Sequence, residues 1–309
     1  MGLLANAIRL MRPGDWVKNI FVLPAIIFSE SLREPNAILH TAAAFCAFCL
    51  LSSGFYALND VADAASDRTH PIKRNRPVAS GVISSNQALI IAALCATSGI
   101  AIGLLVNKYL VVILISYGLL QACYNVFLKH ILFVDVVTIA IGFGLRSAAG
   151  AAAIKVQMSI WLLACVFFLC LYLGFVKRLC DISSAKKDSN SAWIPRAGYD
   201  SLIELNWLLG VSAVLAVVAY LMYALSEHAR DLFGVSSIGF ALLTPLVLIV
   251  IHRFYRGANT GTSDNPLSVL RQDKTVIASI ILFIVGIIVT LYVQPVQSIL
   301  ETLFVAGVD

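Results

Sequence analysis

Residues 86–128 read NQALIIAALCATSGIAIGLLVNKYLVVILISYGLLQACYNVFL, and Lys108 is the one charge in them. A helix crosses the hydrocarbon of a bilayer in about 20 mostly apolar residues. This stretch holds two such runs, 86–106 and 108–128, broken only by Asn107-Lys108. Neither run alternates at a period of two, as the strands of a membrane barrel would. Lipid offers the backbone no hydrogen-bond partners, so each run must satisfy itself as a helix. Seven more runs follow the same pattern, at 17–34, 38–58, 132–153, 158–179, 203–225, 233–252 and 275–297. The reading is an all-α integral membrane protein, a bundle of nine transmembrane helices forming a single domain over 1–309.

Composition agrees. Of the 309 residues, 60% are hydrophobic and 13% charged, with mean hydropathy +0.88. A soluble chain carries about 25% charge to cover its surface, so the solvent of this one is largely the lipid bilayer. That excludes a cytosolic enzyme, a secreted disulfide scaffold, a disordered tail and a nucleic-acid partner. The seven cysteines lie in apolar runs or at their ends, and the Cys46/Cys49 pair has no second pair or histidine to complete a zinc site. The N-terminus lacks the basic, apolar, small-residue order of a cleaved signal.

Basic residues set the orientation. With the N-terminus in the cytoplasm, seventeen Lys/Arg fall on the cytoplasmic side, and only Arg33, Lys108, Lys155 and Arg230 on the other. That bias orients the chain and favours an odd number of spans. The expected location is the cell (inner or plasma) membrane, multi-pass, with its active site facing the cytoplasm. Two cytoplasmic loops, about 60–85 and 177–200, mix carboxylates with cations and form the polar site.

The first loop opens Asn59-Asp60-Val-Ala-Asp63-Ala-Ala-Ser-Asp67 and continues through Lys73, Arg74 and Arg76-Pro77. If the preceding span stays helical past its apolar end, Asp60, Asp63 and Asp67 share one face, with Asn59 one turn before Asp63. Carboxylates so close repel unless a cation lies between them. Mg²⁺ suits them, because it takes a few carboxylates and completes its shell with water and phosphate oxygens. Lys73 and Arg76 would then hold phosphate. The bland alternative is a solvated helix end. In the second loop Lys177, Arg178 and Asp181 read either as phosphate and metal support or as an interfacial cluster. Lys186, Lys187 and Asp188 lie beyond them.

Asp135 and Arg146 sit within an apolar run, where a charge is costly and faces a partner or a wet cavity. Tyr124 and Lys129 precede them, as belt anchors or substrate contacts, and Lys18 and Asn19 at the first span invite the same two readings. There is no P-loop, no GxGxxG and no Ser-His-Asp set.

The Asn59-Asp60-xx-Asp63-xxx-Asp67 run followed by Lys73-xx-Arg76-Pro77 resembles the first aspartate-rich motif of the UbiA-type intramembrane prenyltransferases. That likeness implies a nine-helix bundle, cytoplasm-facing aspartate motifs, Mg²⁺ and a lipid tunnel. Further stretches resemble the branch that acts on decaprenyl phosphate in mycobacterial cell-wall synthesis: Arg12-Pro13-xx-Trp16-Val17-Lys18-Asn19, Tyr124-xxxx-Lys129-xxxxx-Asp135, Gly142-Phe143-x-Leu145-Arg146, Lys177-Arg178, and Asp264-x-Pro266 ahead of Asp273. The branch implies transfer of 5-phosphoribose from 5-phosphoribose 1-diphosphate to a polyprenyl phosphate, serving arabinan precursor synthesis. Asp181 departs from the glutamate expected after Lys-Arg. On this reading Asn59, Asp63 and Asp67 hold the metal, and Asp60, Asp63, Asp67, Asp135 and Asp181 are the catalytic carboxylates. Lys18, Asn19, Lys73, Arg76, Tyr124, Lys129, Arg146, Lys177 and Arg178 bind substrate. Aromatic prenyl transfer and transport are the alternatives. A homo-oligomer is left open.

Overall fold

Helix accounts for nearly all of the regular structure, and no strand occurs among the described residues. The structure is a computed structural model that describes residues 3–29, 31–69, 73–187, 198–199, 201–260 and 266–305, with backbone alone at 3, 184–187 and 267. Within it eight helices are long and apolar enough to cross a membrane: Pro35–Ala62, Ser85–Val106, Lys108–Val126, Val134–Ile154, Ile160–Ser183, Leu202–Ala224, Ser236–Asn259 and Lys274–Tyr292. Their apolar faces are turned outward rather than hidden, as in Leu105 at 86% exposure and Ile203 at 85%. A chain dissolved in lipid has no reason to bury them.

The ninth expected span, 17–34, is not a single helix. It is a 3₁₀ segment, Pro13–Val22, then the short helices Pro24–Phe28 and Ser31–Arg33. Pro24 has no N–H to carry the ladder across. Asn19, buried within the segment, hydrogen-bonds side chains of other helices. Hydropathy counts apolar residues and is blind to both effects. A second interruption, at Leu243, divides the seventh long helix into Ser236–Leu242 and Thr244–Asn259, with Pro245 in the first turn of the latter.

The chain divides into two compact units, Met1–Lys129 with Ile141–Met158, and His130–Ala140 with Ser159–Asp309. In the first, the Pro35–Ala62 and Ser85–Val106 helices lie side by side. Gly54 and Gly99 permit it, because a Cβ at either would stand 2.9 Å from the Ala92 carbonyl oxygen or 2.8 Å from that of Ala47. Small residues allow close helix approach where lipid supplies no hydrophobic drive. Phe48, Leu51, Leu110, Leu114, Tyr117 and Ala149 form the core. Asn107 makes the expected break between the two runs: its Oδ1 accepts from Leu110 N at 2.9 Å, capping the next helix, and its Nδ2 donates to Ala152 O at 2.9 Å.

In the second unit the Ile160–Lys187 helix packs along Leu202–Ala224. Polar side chains tie its helices together through backbone carbonyls, Tyr172 Oη to Ile251 O at 2.6 Å and Ser236 Oγ to Thr290 O at 2.7 Å. The Ile160–Lys187 helix also runs past the apolar boundary drawn from sequence, so Lys177, Arg178 and Asp181 are helical rather than in a loop.

Candidate active site

The aspartate run begins where the Pro35–Ala62 helix ends. Asp63 is its cap, still near-helical, and its N–H reaches Asn59 O at 2.9 Å. The turn Ala64–Asp67 follows at once, with Asp67 N on Asp63 O at 2.9 Å. The helical path therefore persists through the motif, but the three carboxylates do not gather on one partner as the shared face implied. Asp60 and Asp67 are buried and share Arg76, whose Nη1 lies 2.6 Å from Asp67 Oδ2 and 3.5 Å from Asp60 Oδ1. Asp63 turns elsewhere: Asn59 Nδ2 donates to it at 3.1 Å and Lys129 Nζ at 3.3 Å.

A sixth charge completes this cluster, and sequence reasoning left it out of the site. Arg12 Nη2 donates to Asp60 Oδ1. Arg12 holds a left-handed backbone, φ 52°, at the entry to the 3₁₀ segment, a conformation costly for a residue with a Cβ. Pro13 follows immediately and begins the segment. Beside Arg12, Trp16 Nε1 donates to Ser53 Oγ at 3.1 Å, and Ser53 Oγ donates to Met11 O at 2.9 Å. Arg12 also lies over the Tyr56 ring, 5.2 Å from its centroid. Lys18 pairs with Asp15 at 2.7 Å rather than with the motif. Lys73 lies on the turn Lys73–Asn75, and Tyr124 is half-buried near the end of Lys108–Val126.

Arg146, also in the first unit, is buried among neutral partners. Its Nε donates to Asn19 Oδ1 at 2.8 Å, Nη2 to Tyr117 Oη at 2.7 Å and Nη1 to Gly142 O at 3.0 Å. The rings of Tyr117, Phe143 and Phe48 surround it at 4.7, 5.0 and 5.8 Å.

The second unit carries its own cluster. Asp135 is fully buried; Arg178 Nη2 donates to its Oδ2 at 2.7 Å, and Tyr199 Oη to its Oδ1 at 2.7 Å. Arg178 Nη1 reaches Asp181 Oδ2 at 3.4 Å, and Lys177 pairs with the same carboxylate. Tyr199, absent from the sequence reading, accepts Phe133 N at 3.0 Å. Burial first, and then the hydrogen bond and charge of Asp135, push its hydroxyl well above the ordinary tyrosine range. It therefore remains a donor at any physiological pH. Lys186 and Lys187 are described as backbone only, and Asp188 and Asp264 lie outside the described residues.

The donor chemistry around the motif suits a hard cation: carboxylates, an amide oxygen, and Asp60 Oδ2, buried without a hydrogen-bond partner. In this arrangement Arg12, Arg76 and Lys129 provide the compensating charge. Among the described residues no three His, Cys, Asp or Glu side chains converge on one point.

Residues 20–267 match the UbiA prenyltransferase family. The chain belongs to that family. A relative from Corynebacterium glutamicum named decaprenyl-phosphate phosphoribosyltransferase is 28% identical, over 93% of this chain and 87% of its own length. Among solved folds, a digeranylgeranylglyceryl phosphate synthase matches with TM-score 0.68 at 21% identity, over 93% of this chain and 99% of that one. A UbiA homologue from Archaeoglobus fulgidus, bound to GPP and Mg²⁺, matches with TM-score 0.65 at 19% identity, over 93% and 99%. The UbiA fold and the apolar helices make the chain a multi-pass membrane protein.

Proposed function

We propose that the chain transfers 5-phosphoribose from 5-phosphoribose 1-diphosphate to a polyprenyl phosphate and releases diphosphate. The name and coverage of the C. glutamicum relative support the substrates. The observation that carries the reading is the aspartate run of the first unit, interleaved with Arg12, Arg76 and Lys129 at the end of a membrane helix. A site of that kind handles several phosphate groups at once.

The reaction asks little covalent chemistry of the protein. A lipid phosphate oxygen attacks the anomeric carbon, the bond from that carbon to diphosphate breaks, and its electron pair leaves with diphosphate. The nucleophile is already anionic, so positioning and charge stabilisation supply the rate. Arg76 and Lys129, with Lys73, Lys177 and Arg178, would hold phosphate oxygens. Asp135 and Asp181 would orient Arg178 and Lys177. Asn59, Asp63 and Asp67 would hold Mg²⁺, which supplies charge neutralisation to the departing diphosphate. The basic residues argue for a cytoplasmic N-terminus and a site facing the cytoplasm, and the product would feed cell-wall arabinan assembly.

The test is incubation of the purified protein with polyprenyl phosphate, 5-phosphoribose 1-diphosphate and Mg²⁺, read by mass spectrometry of the lipid. A mass gain of one phosphoribosyl group is expected. Activity confined to prenylating an aromatic ring from a polyprenyl diphosphate would replace this reading.

A further inference from the structure

Six charged residues of the described chain are buried: Asp60, Asp67, Lys129, Asp135, Arg146 and Arg178. Five have an opposite charge within 4.0 Å. Arg146 has none among the described residues, although it is only 4% exposed and lies inside the Val134–Ile154 helix. A buried ion in so apolar a setting is strongly disfavoured unless something compensates it.

Its neutral neighbours do part of that work. A guanidinium has five N–H donors, and three acceptors meet it, on Asn19, Tyr117 and Gly142. Each nitrogen thus has one acceptor, and by count one N–H on each Nη is left over. Ring faces attract a cation and can take a weak N–H···π contact, but they bring no negative charge.

The neighbours are themselves held in place. Gln121 Nε2 donates to Tyr117 Oη at 2.8 Å, and Asn19 Nδ2 reaches Cys49 Sγ at 3.2 Å and Ser52 Oγ at 3.4 Å. Asn19 belongs to the 3₁₀ segment Pro13–Val22. Irregular backbone at membrane depth is tolerated where it is buried in protein or lines a wet cavity. A cation fixed on three sides and short of a counter-charge is built to receive one.

We infer that Arg146, held by Asn19 and Tyr117, is an anion site for a phosphate group of a substrate, and that the bound phosphate supplies its missing counter-charge. The inference rests on the proposed reaction for its ligands, the headgroup of the polyprenyl phosphate or a phosphate of the ribosyl donor. Tyr117 is the positioning residue: its hydroxyl fixes one arm of the guanidinium.

The test is equilibrium binding to the full chain in nanodiscs, with polyprenyl phosphate, the neutral polyprenol, 5-phosphoribose 1-diphosphate and polyprenyl diphosphate as probes. Arg146→Gln should weaken a phosphorylated probe about tenfold or more, the cost of losing a charge-assisted pair, and leave polyprenol binding unchanged. Tyr117→Phe keeps the ring and removes the hydroxyl; it should weaken the same probe by a smaller factor, guarding against misfolding of the first variant. Loss confined to polyprenyl phosphate identifies the lipid headgroup, and loss confined to 5-phosphoribose 1-diphosphate identifies the donor. Wild-type binding that both variants retain overturns the inference while leaving the proposed reaction intact. Wild-type binding to polyprenyl diphosphate alone, lost in Arg146→Gln, overturns the reaction and keeps the anion site. No wild-type binding to any phosphorylated probe overturns both.

Discussion

Replacing Arg178 by Met removes the cation from Asp135 and keeps most of the side-chain volume. Asp135 is fully buried and the Arg178 side chain is 10% exposed, so solvent does little to screen the pair. Breaking a buried pair by removing one partner costs about 3–5 kcal/mol, because it strands the other charge. Asp135 keeps two donors, Tyr199 Oη at 2.7 Å and its neighbour Val136 N at 2.8 Å, which argues for the lower end, about 3 kcal/mol. Asp181 contributes little to the cost, since Lys177 remains on it. Asp135→Asn should cost a similar amount by removing the anion 2.7 Å from Arg178.

The pairing claim lies in the double variant. With both charges gone, nothing is stranded, and the loss should fall short of the sum of the singles by about 2–3 kcal/mol. Tyr199→Phe, which deletes one hydrogen bond to the carboxylate, should cost about 1.5 kcal/mol and so rank below Arg178→Met. The measurement is unfolding of the full chain by SDS titration in mixed micelles, followed by tryptophan fluorescence. A coupling energy under about 0.5 kcal/mol would mean that the 2.7 Å contact carries no stability, and the argument from burial would fail.

Asp63→Asn and Asp67→Asn should each cut phosphoribosyl transfer at least tenfold at limiting Mg²⁺ while the protein stays inserted; near-normal turnover in both would dismiss the metal reading. Gly150→Ala would set a Cβ 1.9 Å from the Val22 carbonyl oxygen; the helix or the Pro13–Val22 segment must move, at a cost of about 1–3 kcal/mol, and unchanged unfolding would show that segment to be loosely held. Burial tends to raise the Asp273 carboxyl, but the Arg253 hydrogen bond and the backbone N–H groups of Val276 and Thr275 outweigh it and hold it below the usual carboxylate range. Its contribution is therefore present above the ordinary aspartate pKa and lost as pH falls through the lowered value. Asp273→Ala should erase that acid-side slope in the unfolding midpoint and cost about 1 kcal/mol at neutral pH.

What the sequence disclosed follows from what kind of signal each feature leaves. Hydropathy finds the eight other runs, seven of them without a proline in mid-course and one, 233–252, that stays long enough to span despite the break at Leu243 before Pro245. The 17–34 run failed because Pro24 and the buried Asn19 act through hydrogen bonding, which a hydropathy window does not weigh. The near-helical path through Asp60, Asp63 and Asp67 was readable because helical spacing is local, but not that Asp63 pairs with Lys129 while Asp60 and Asp67 pair with Arg76. Their cations were harder to name: Arg12 lies 48 residues from Asp60 and Lys129 lies 66 from Asp63. Such partners are chosen by helix packing, which no short window encodes. Arg12 stood in a motif whose Trp and basic residues read as membrane anchors, and its positive φ has no sequence signature in a residue other than glycine.

Tyr199 and Arg146 mark opposite limits of that legibility. Tyr199 follows a polar stretch and looks like an interfacial tyrosine; only its bond to Asp135, 64 positions away, gives it a role. Arg146 was conspicuous for the reverse reason, since a lone cation in an apolar helix advertises itself. From sequence it could neutralise Asp135, which lies in the same helix, or contact a substrate phosphate, and the second is the reading preferred. The structure gives Asp135 to Arg178 and Tyr199, and Arg146 to Asn19, Tyr117 and Gly142. One buried acid has an opposite charge beside it, and one buried base has only neutral acceptors among the described residues. That asymmetry among the described residues, rather than the presence of a charge in the membrane, is what the inferred phosphate partner of Arg146 rests on.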